Sequence, residues 1–198
     1  MGLREQKKQQ TRQSVLANSA RLFAAQGFAD TSMEQIAAAA MVSRTTLFNY
    51  FSSKDAIVLE LASAFEDTYP DTVRRICAQP GSTEQRIRAA FAAAARYFTR
   101  HRALNSVIYL ELTRIRSTRT DLNNAATQGY RDAFVTLLEA GIQQGDVRTD
   151  IDAEIIADVL WAPLSAGLYR IFSGDNAVDI EATFQDYASL LIDAVVRE

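Results

Sequence analysis

The sequence predicts an all-α fold, and three observations carry the prediction. Apolar residues recur at three- and four-residue spacing along nearly the whole chain. Strand-like alternation is hard to find. Only 3 prolines and 8 glycines interrupt 198 residues, of which 48% are apolar. Long helices around one or two sizeable cores are therefore expected.

The elements follow in order. A first helix runs from about Arg4 to Gln26, with Val15, Leu16, Leu22 and Phe23 as its buried stripe, and Gly27 stops it. Thr31 with Glu34, or Ser32 with Gln35, makes a capping box for the next helix. Ile36 and the alanines at 37–40 give that helix a small-residue face against which another helix can pack closely. Met41, Val42 and Ser43 form a turn, and Ser43 caps a second short helix to about Phe51, burying Val42, Leu47 and Phe51. Ser52 and Ser53 cap a long helix that starts at about Lys54 and carries Ile57, Leu61 and Phe65 on one face. Pro70 is expected to kink or break it, because proline removes a helix donor and crowds the preceding turn.

Pro80 and Gly81 end the long helix, and Ser82 or Thr83 begins the next, which buries Ile87, Phe91, Ala94 and Phe98. A shorter helix spans about 103–116. Another spans about 122–144 and carries Tyr130, Phe134, Leu137, Leu138 and Ile142. Gly145 and Asp146 turn the chain, and Asp152 caps a helix from Ala153 to about Ser173. The last helix, from about Ile180 to Val196, carries Phe184, Tyr187, Leu191 and Val195.

Several classes of function find no support in the residues. Cys77 is the only cysteine, so neither an intrachain disulfide nor a cysteine-based zinc site is expected, in keeping with a reducing, cytoplasmic setting. No apolar run approaches the roughly 18 residues that span a bilayer, so no membrane partner is expected. The start, MGLREQKKQQ, has no apolar stretch behind its charges and is not expected to be a secretory signal. His101 is the only histidine and has no cysteine or histidine companion for a metal. Neither a G-x-S-x-G elbow, a P-loop nor a G-x-G-x-x-G loop occurs. Glu66 and Asp67 are adjacent and so diverge on a helix, which suits solvent better than shared acid–base work. No enzyme activity, cofactor or metal is expected.

The net charge is -3, but it is unevenly spread. Residues 1–54 hold seven Lys or Arg (Arg4, Lys7, Lys8, Arg12, Arg21, Arg44, Lys54) against Glu5, Asp30 and Glu34, a net of +4. Residues 55–198 hold 14 bases and 21 acids, a net of -7. A basic N-terminal module on an acidic body fits nucleic-acid contact at one end. A fluctuation of this size over 54 residues is the competing reading.

Residues 31–55, TSMEQIAAAAMVSRTTLFNYFSSKD, read as two short helices joined by a tight turn, with a lysine in the first turn of a third. A helix entering the major groove presents polar or apolar side chains from its first turns to base edges. Here those are Arg44, Thr45, Thr46 and Asn49. Arginine can fork onto guanine, asparagine can pair with adenine, and a threonine methyl can touch thymine. Tyr50 can reach a phosphate. Lys54 opposes the dipole of the helix it begins, unless a phosphate bound at that helix start reverses the sign. The plainer alternative has Lys54 in solvent and Asp55 supplying the favourable charge.

This segment resembles the DNA-binding domain of the TetR family of bacterial transcriptional regulators. Thr31, Ser32, Ile36, Ala37, Ala40, Val42, Ser43, Leu47, Tyr50, Phe51, Lys54 and Asp55 fall in register with the family's pattern without a gap. ARLFAAQGFADTS at 20–32 is similar to the family's first helix and its exit. GDVRTDIDAEIIA at 145–157 is similar to its turn before the penultimate helix. Three positions depart. Met41 stands where glycine is usual, at a cost of about 1 kcal/mol or more if the turn needs a positive φ. Thr45 replaces a common glycine. Phe48 replaces a tyrosine and is assigned to packing or apolar base contact.

The resemblance implies a helix-turn-helix domain over 1–53 and a helical ligand-binding and dimerisation domain over 54–198. It implies a homodimeric repressor of an inverted-repeat, double-stranded operator, released by a small, largely apolar or aromatic inducer. Thr31, Ser32, Tyr50 and Lys54 are then phosphate contacts. Phe91, Ala94, Phe98, Tyr109, Tyr130, Phe134, Trp161 and Leu164 are candidates to line the inducer pocket. Arg96, Arg100 and Arg114 are either counter-charges for an anion or a solvated face. Val159, Ile180, Phe184, Tyr187, Leu191 and Val195 are candidates for a four-helix dimer interface. Two other readings stay open: a helical binding protein or enzyme with a vestigial helix-turn-helix, and an activator or a regulator answering to a protein.

Overall fold

The computed structural model describes residues 2–118, 120–174 and 178–197, with the side chains among them other than those of 64–67, 120–127 and 160–164. The described residues are helical almost throughout: α1 (Leu3–Gln26), α2 (Met33–Ala39), α3 (Arg44–Tyr50), α4 (Lys54–Cys77), α5 (Thr83–Arg100), α6 (Arg102–Ser117), α7 (Thr120–Gln144), α8 (Ala153–Ser173) and α9 (Ile180–Val195). Among them no strand forms, and one isolated antiparallel bridge joins Val147 to Val196.

The expected caps are in place. Ser32 and Gln35 make the box on α2, so the alternative pair of Thr31 and Glu34 is not used. The Ser43 hydroxyl accepts from the Thr46 N–H on α3, Ser53 from Ala56 on α4, and Ser82 from Gln85 on α5. Asp152 and Asp179 do the same work for α8 and α9. Each such oxygen satisfies an N–H that the first helical turn leaves free, about 1 kcal/mol apiece. Pro70 is buried within α4, which runs on to Cys77 rather than breaking there.

By backbone contact the chain divides into two units, 1–64 with 103–115, and 65–102 with 116–198. The sequence-drawn boundary at 53/54 falls earlier: the first unit keeps the opening turns of α4 and takes in most of α6. Two salt links hold these pieces to it. Arg12 on α1 donates to both carboxylate oxygens of Glu60 on α4, and Arg114 on α6 donates to Asp55 on α4 at 2.7 Å.

The first unit is built on Val15, Phe23, Ile36, Leu47, Ile57 and Val58, none with any exposed surface. Gly27, at φ 84°, turns the chain out of α1 in a conformation that favours glycine. The second unit has an aromatic centre. Phe91 of α5 meets Phe134 of α7 at 6.1 Å and Phe184 of α9 at 6.3 Å. Phe98 meets Phe172 of α8 at 5.8 Å and Phe184 at 6.1 Å. The Asp146 carboxylate accepts from the Thr83 N–H and hydroxyl, at 2.8 and 2.7 Å, and ties the turn after α7 to the start of α5.

Candidate nucleic-acid interface

α2 and α3 form the helix-turn-helix expected from residues 31–55. α2 packs on α1, and α3 packs on α2 through Leu47. Burying that leucine stabilises the arrangement by roughly 1.5–3 kcal/mol and leaves the opposite face of α3 outward. The Ala40, Met41 and Val42 N–H groups donate to Ile36, Ala38 and Ala37 carbonyls within the turn. Met41 has φ 55° and is 91% exposed, so its side chain contributes no packing to offset a left-handed backbone.

Arg44, Thr45 and Asn49 are exposed on α3, as base contact requires, and Thr46 is half-buried with its hydroxyl 2.8 Å from that of Ser43. Arg44 is not a free side chain. Its guanidinium lies 3.1 Å from Glu34 of α2 and 5.5 Å from the centre of the Phe48 ring. Phe48 is thus both exposed and a platform for Arg44. Glu34 is held below the usual carboxylate range by a backbone hydrogen bond first and by Arg44 second.

The four expected phosphate contacts are placed differently from one another. Tyr50 is half-exposed at the end of α3, and Ser32 is accessible at the start of α2. Thr31 is buried and donates to the Gly27 carbonyl at 2.7 Å, so it closes the exit from α1 and does not face a phosphate. Lys54 turns inward. Its ammonium donates to the Phe28 carbonyl at 2.5 Å, with Ala29 at 3.4 Å, and sits 4.2 Å from the centre of the Phe28 ring. Arg114 approaches the same ring at 5.7 Å. It is also paired with Asp55 and Glu111.

Reading the sequence missed a groove of about 610 Å³ beside α3, lined by Arg4, Glu5, Lys7, Lys8 and Thr11 of α1 and by Thr46, Asn49 and Tyr50. The basic excess of the first 54 residues was the available signal, and it did not say where the charges would gather.

In the second unit, Phe91, Ala94, Phe98, Tyr130 and Phe134 are all buried. Phe91 meets Phe134, Phe98 meets Phe172 and Phe184, and Tyr130 lies 5.7 Å from Tyr69. Tyr109 belongs to the first unit. The Trp161 and Leu164 side chains lie outside the described residues. A groove of about 600 Å³ opens beside Phe91 and Phe184, between α5 and α9, with Arg88, Arg96, Glu181 and Asp186 at its walls.

Of the residues expected at a dimer interface, Ile180, Phe184, Leu191 and Val195 are buried within the single chain. Tyr187 leans on α8, where a Cβ at Gly167 would come within 2.5 Å of its hydroxyl. Only Val159 is exposed, at 64%. The period of an α9 stripe gives its apolar face but not what covers it, and α5 and α8 of the same chain do so.

Comparison with known proteins agrees with the architecture. The model of bacterial regulatory proteins of the tetR family matches residues 15–61, and that of the tetracyclin repressor-like C-terminal domain matches residues 77–194. The transcriptional repressor KstR2 of Rhodococcus jostii is 24% identical over 190 residues, covering 93% of this chain and 90% of the relative. FadR of Thermus thermophilus, a transcriptional repressor solved with lauroyl-CoA, is 26% identical with a TM-score of 0.73, covering 94% of this chain and 96% of that one. FadR of Bacillus subtilis, solved with stearoyl-CoA, shares the fold at 19% identity and a TM-score of 0.73, covering 91% and 97%.

Proposed function

The chain belongs to the TetR family of bacterial regulatory proteins, and on that premise we propose that it is a homodimeric repressor that reads an inverted-repeat operator and releases it on binding a small molecule. The observation that carries the reading is α3: a helix capped by Ser43, seated on fully buried Leu47, presenting Arg44, Thr45 and Asn49 outward. Those side chains read base edges, with Thr46 beside them, and Ser32 and Tyr50 take the flanking phosphates.

The second unit supplies the ligand response. Its buried aromatic side chains Phe91, Phe98, Tyr130 and Phe134 suit an apolar or aromatic body that enters by displacing these rings from their neighbours. The acyl-CoA ligands of the two FadR proteins are molecules of that kind at one end. Ligand binding shifts α4 and changes the spacing of the two recognition helices, which then miss consecutive major grooves. The dimer supporting this spacing uses the exposed stripe of Ile155, Val159 and Tyr169 on α8, with Leu190 on α9.

Gel-shift titration against the DNA upstream of the chain's own gene tests the reading. Binding that is sequence-specific, falls steeply with salt, and is released by an apolar ligand or its coenzyme A thioester is the expected result. Failure to bind any upstream or neighbouring fragment would sink it in favour of a binding protein with a vestigial helix-turn-helix.

A further inference from the structure

We propose that the N-terminal turns of α1 form a second DNA-contact element, in which Arg4, Lys7 and Lys8 grip the phosphodiester strand running beside the recognition helix. This rests on the DNA-binding reading above and assigns it residues outside the helix-turn-helix.

Arg4, Lys7, Lys8 and Thr11 recur at three and four residues, so they share one face of α1. That face forms one wall of the groove whose other wall is Thr46, Asn49 and Tyr50. The groove therefore continues directly from the surface that reads bases. Its lining carries three cations and a single carboxylate, Glu5, beside three hydroxyls and an amide. A sugar–phosphate strand matches this chemistry: anionic, and rich in hydrogen-bond acceptors.

The cations have no structural employment. Arg4, Lys7 and Lys8 are exposed, and no carboxylate pairs with them among the ion pairs of the described residues, whereas Arg12, one turn on, is gripped by Glu60. Arg4 also sits in the first turn of a helix with no side-chain cap, where positive charge opposes the dipole, and it faces like charges on Lys7 and Lys8 three and four residues on. Three unpaired cations on one face at that end weaken the isolated helix, and a phosphate strand reverses the sign of the effect.

The test is salt-dependent binding of the full chain to mixed-sequence duplex DNA, comparing wild type with the double variant Lys7→Gln, Lys8→Gln. Each lost phosphate contact flattens the plot of log affinity against log salt by about 0.9, so a flattening of roughly two units is expected, with unchanged helix content by circular dichroism. Arg21→Gln, which removes an exposed charge further along α1, should leave the slope at its wild-type value. An unchanged slope in the double variant, or an equal loss from Arg21→Gln, overturns the proposal while leaving the repressor reading intact. If the wild type binds no duplex at low salt, both fall.

Discussion

The Lys54 ammonium lies 2.5 Å from the Phe28 carbonyl oxygen and 4.2 Å from the centre of the Phe28 ring. One side chain at the start of α4 thereby holds the exit of α1 by two means, a charge-assisted hydrogen bond and a cation–π contact. Through Asp55 and Arg114 the same corner is tied to α6, whose Arg114 guanidinium also faces Phe28. This geometry favours a positioning role for Lys54 in the helix-turn-helix over the phosphate contact expected from the sequence.

The two roles separate by experiment. Lys54→Met keeps the apolar stem and removes the charge. It should destabilise the N-terminal unit by about 1–2 kcal/mol, the range for a partly exposed charged hydrogen bond with an aromatic contact, and lower operator affinity with no change in salt slope. Chemical denaturation and a salt titration read the two quantities. A slope reduced by about one unit at unaltered stability would restore the phosphate role.

Met41 adopts φ 55° with its side chain in solvent. A left-handed conformation costs a non-glycine residue about 1–2 kcal/mol, and glycine gives part of that back through its freer unfolded chain. Met41→Gly should therefore raise stability by about 0.5–1 kcal/mol, visible as a higher denaturation midpoint. A lower midpoint would mean that the turn depends on the methionine in a way its exposure does not reveal.

In the proposed base-reading role of Arg44, Glu34 competes with DNA for its guanidinium. The two side chains are 3.1 Å apart and both are exposed, so the pair adds little to stability. Its carboxylate nonetheless has to release Arg44 before the guanidinium can fork onto a base. Arg44→Ala should cost roughly 1–3 kcal/mol of discrimination at one base position. Glu34→Gln should leave folding unchanged and tighten binding to all sequences, by removing a negative charge near the phosphates. Binding selections on randomised duplexes measure both, and weaker binding by the Glu34 variant would show that the pair orients Arg44 productively.

How much of this was legible beforehand differs by scale. Helix periods and caps are local, and they placed α1 to α9 to within a few residues because Ser32, Ser43, Asp152 and their like act on their own next turn. The polar face of α3 was legible for the same reason. Tertiary partners were not. Phe28 carries no pattern that announces a cation above it, and the small residue at Gly167 does not announce that Tyr187 will fold against it. Unassigned Arg4, Lys7 and Lys8 became a set only when α1 lay beside α3.

Tyr69 gives the second unit an alkaline weakness. Its hydroxyl donates to the Ala90 carbonyl at 3.1 Å in a buried site, and burial pushes its pKa well above that of a free tyrosine. The neutral form is thus favoured by folding. Its contribution is complete below the unfolded value of about 10 and is lost as pH rises from there toward the higher folded value, at up to about 1.4 kcal/mol per pH unit. Tyr69→Phe should be less stable at neutral pH by about 1 kcal/mol and should lose stability less steeply above pH ~10. Parallel curves for the two proteins would mean that Tyr69 does not set the alkaline limit.

The proposed dimer surface can be distinguished from the core by the opposite consequences of mutation. Ile155, Val159 and Tyr169 fall within about 80° of one another around α8, and Val159 and Leu190 are 64% and 67% exposed. A carboxylate at such a position meets water in the free subunit and an apolar partner in the dimer, so the cost falls on association alone. Val159→Glu with Leu190→Glu should yield a folded monomer by sedimentation, and binding to a two-half-site operator should weaken by orders of magnitude because each half-site is then held separately. Phe184 is 1% exposed at the aromatic centre of the second unit. Phe184→Ala should instead lower subunit stability by about 3–5 kcal/mol, with loss of dimer only as a consequence of unfolding. A double glutamate variant that remains dimeric at micromolar concentration would place the interface elsewhere than on this stripe.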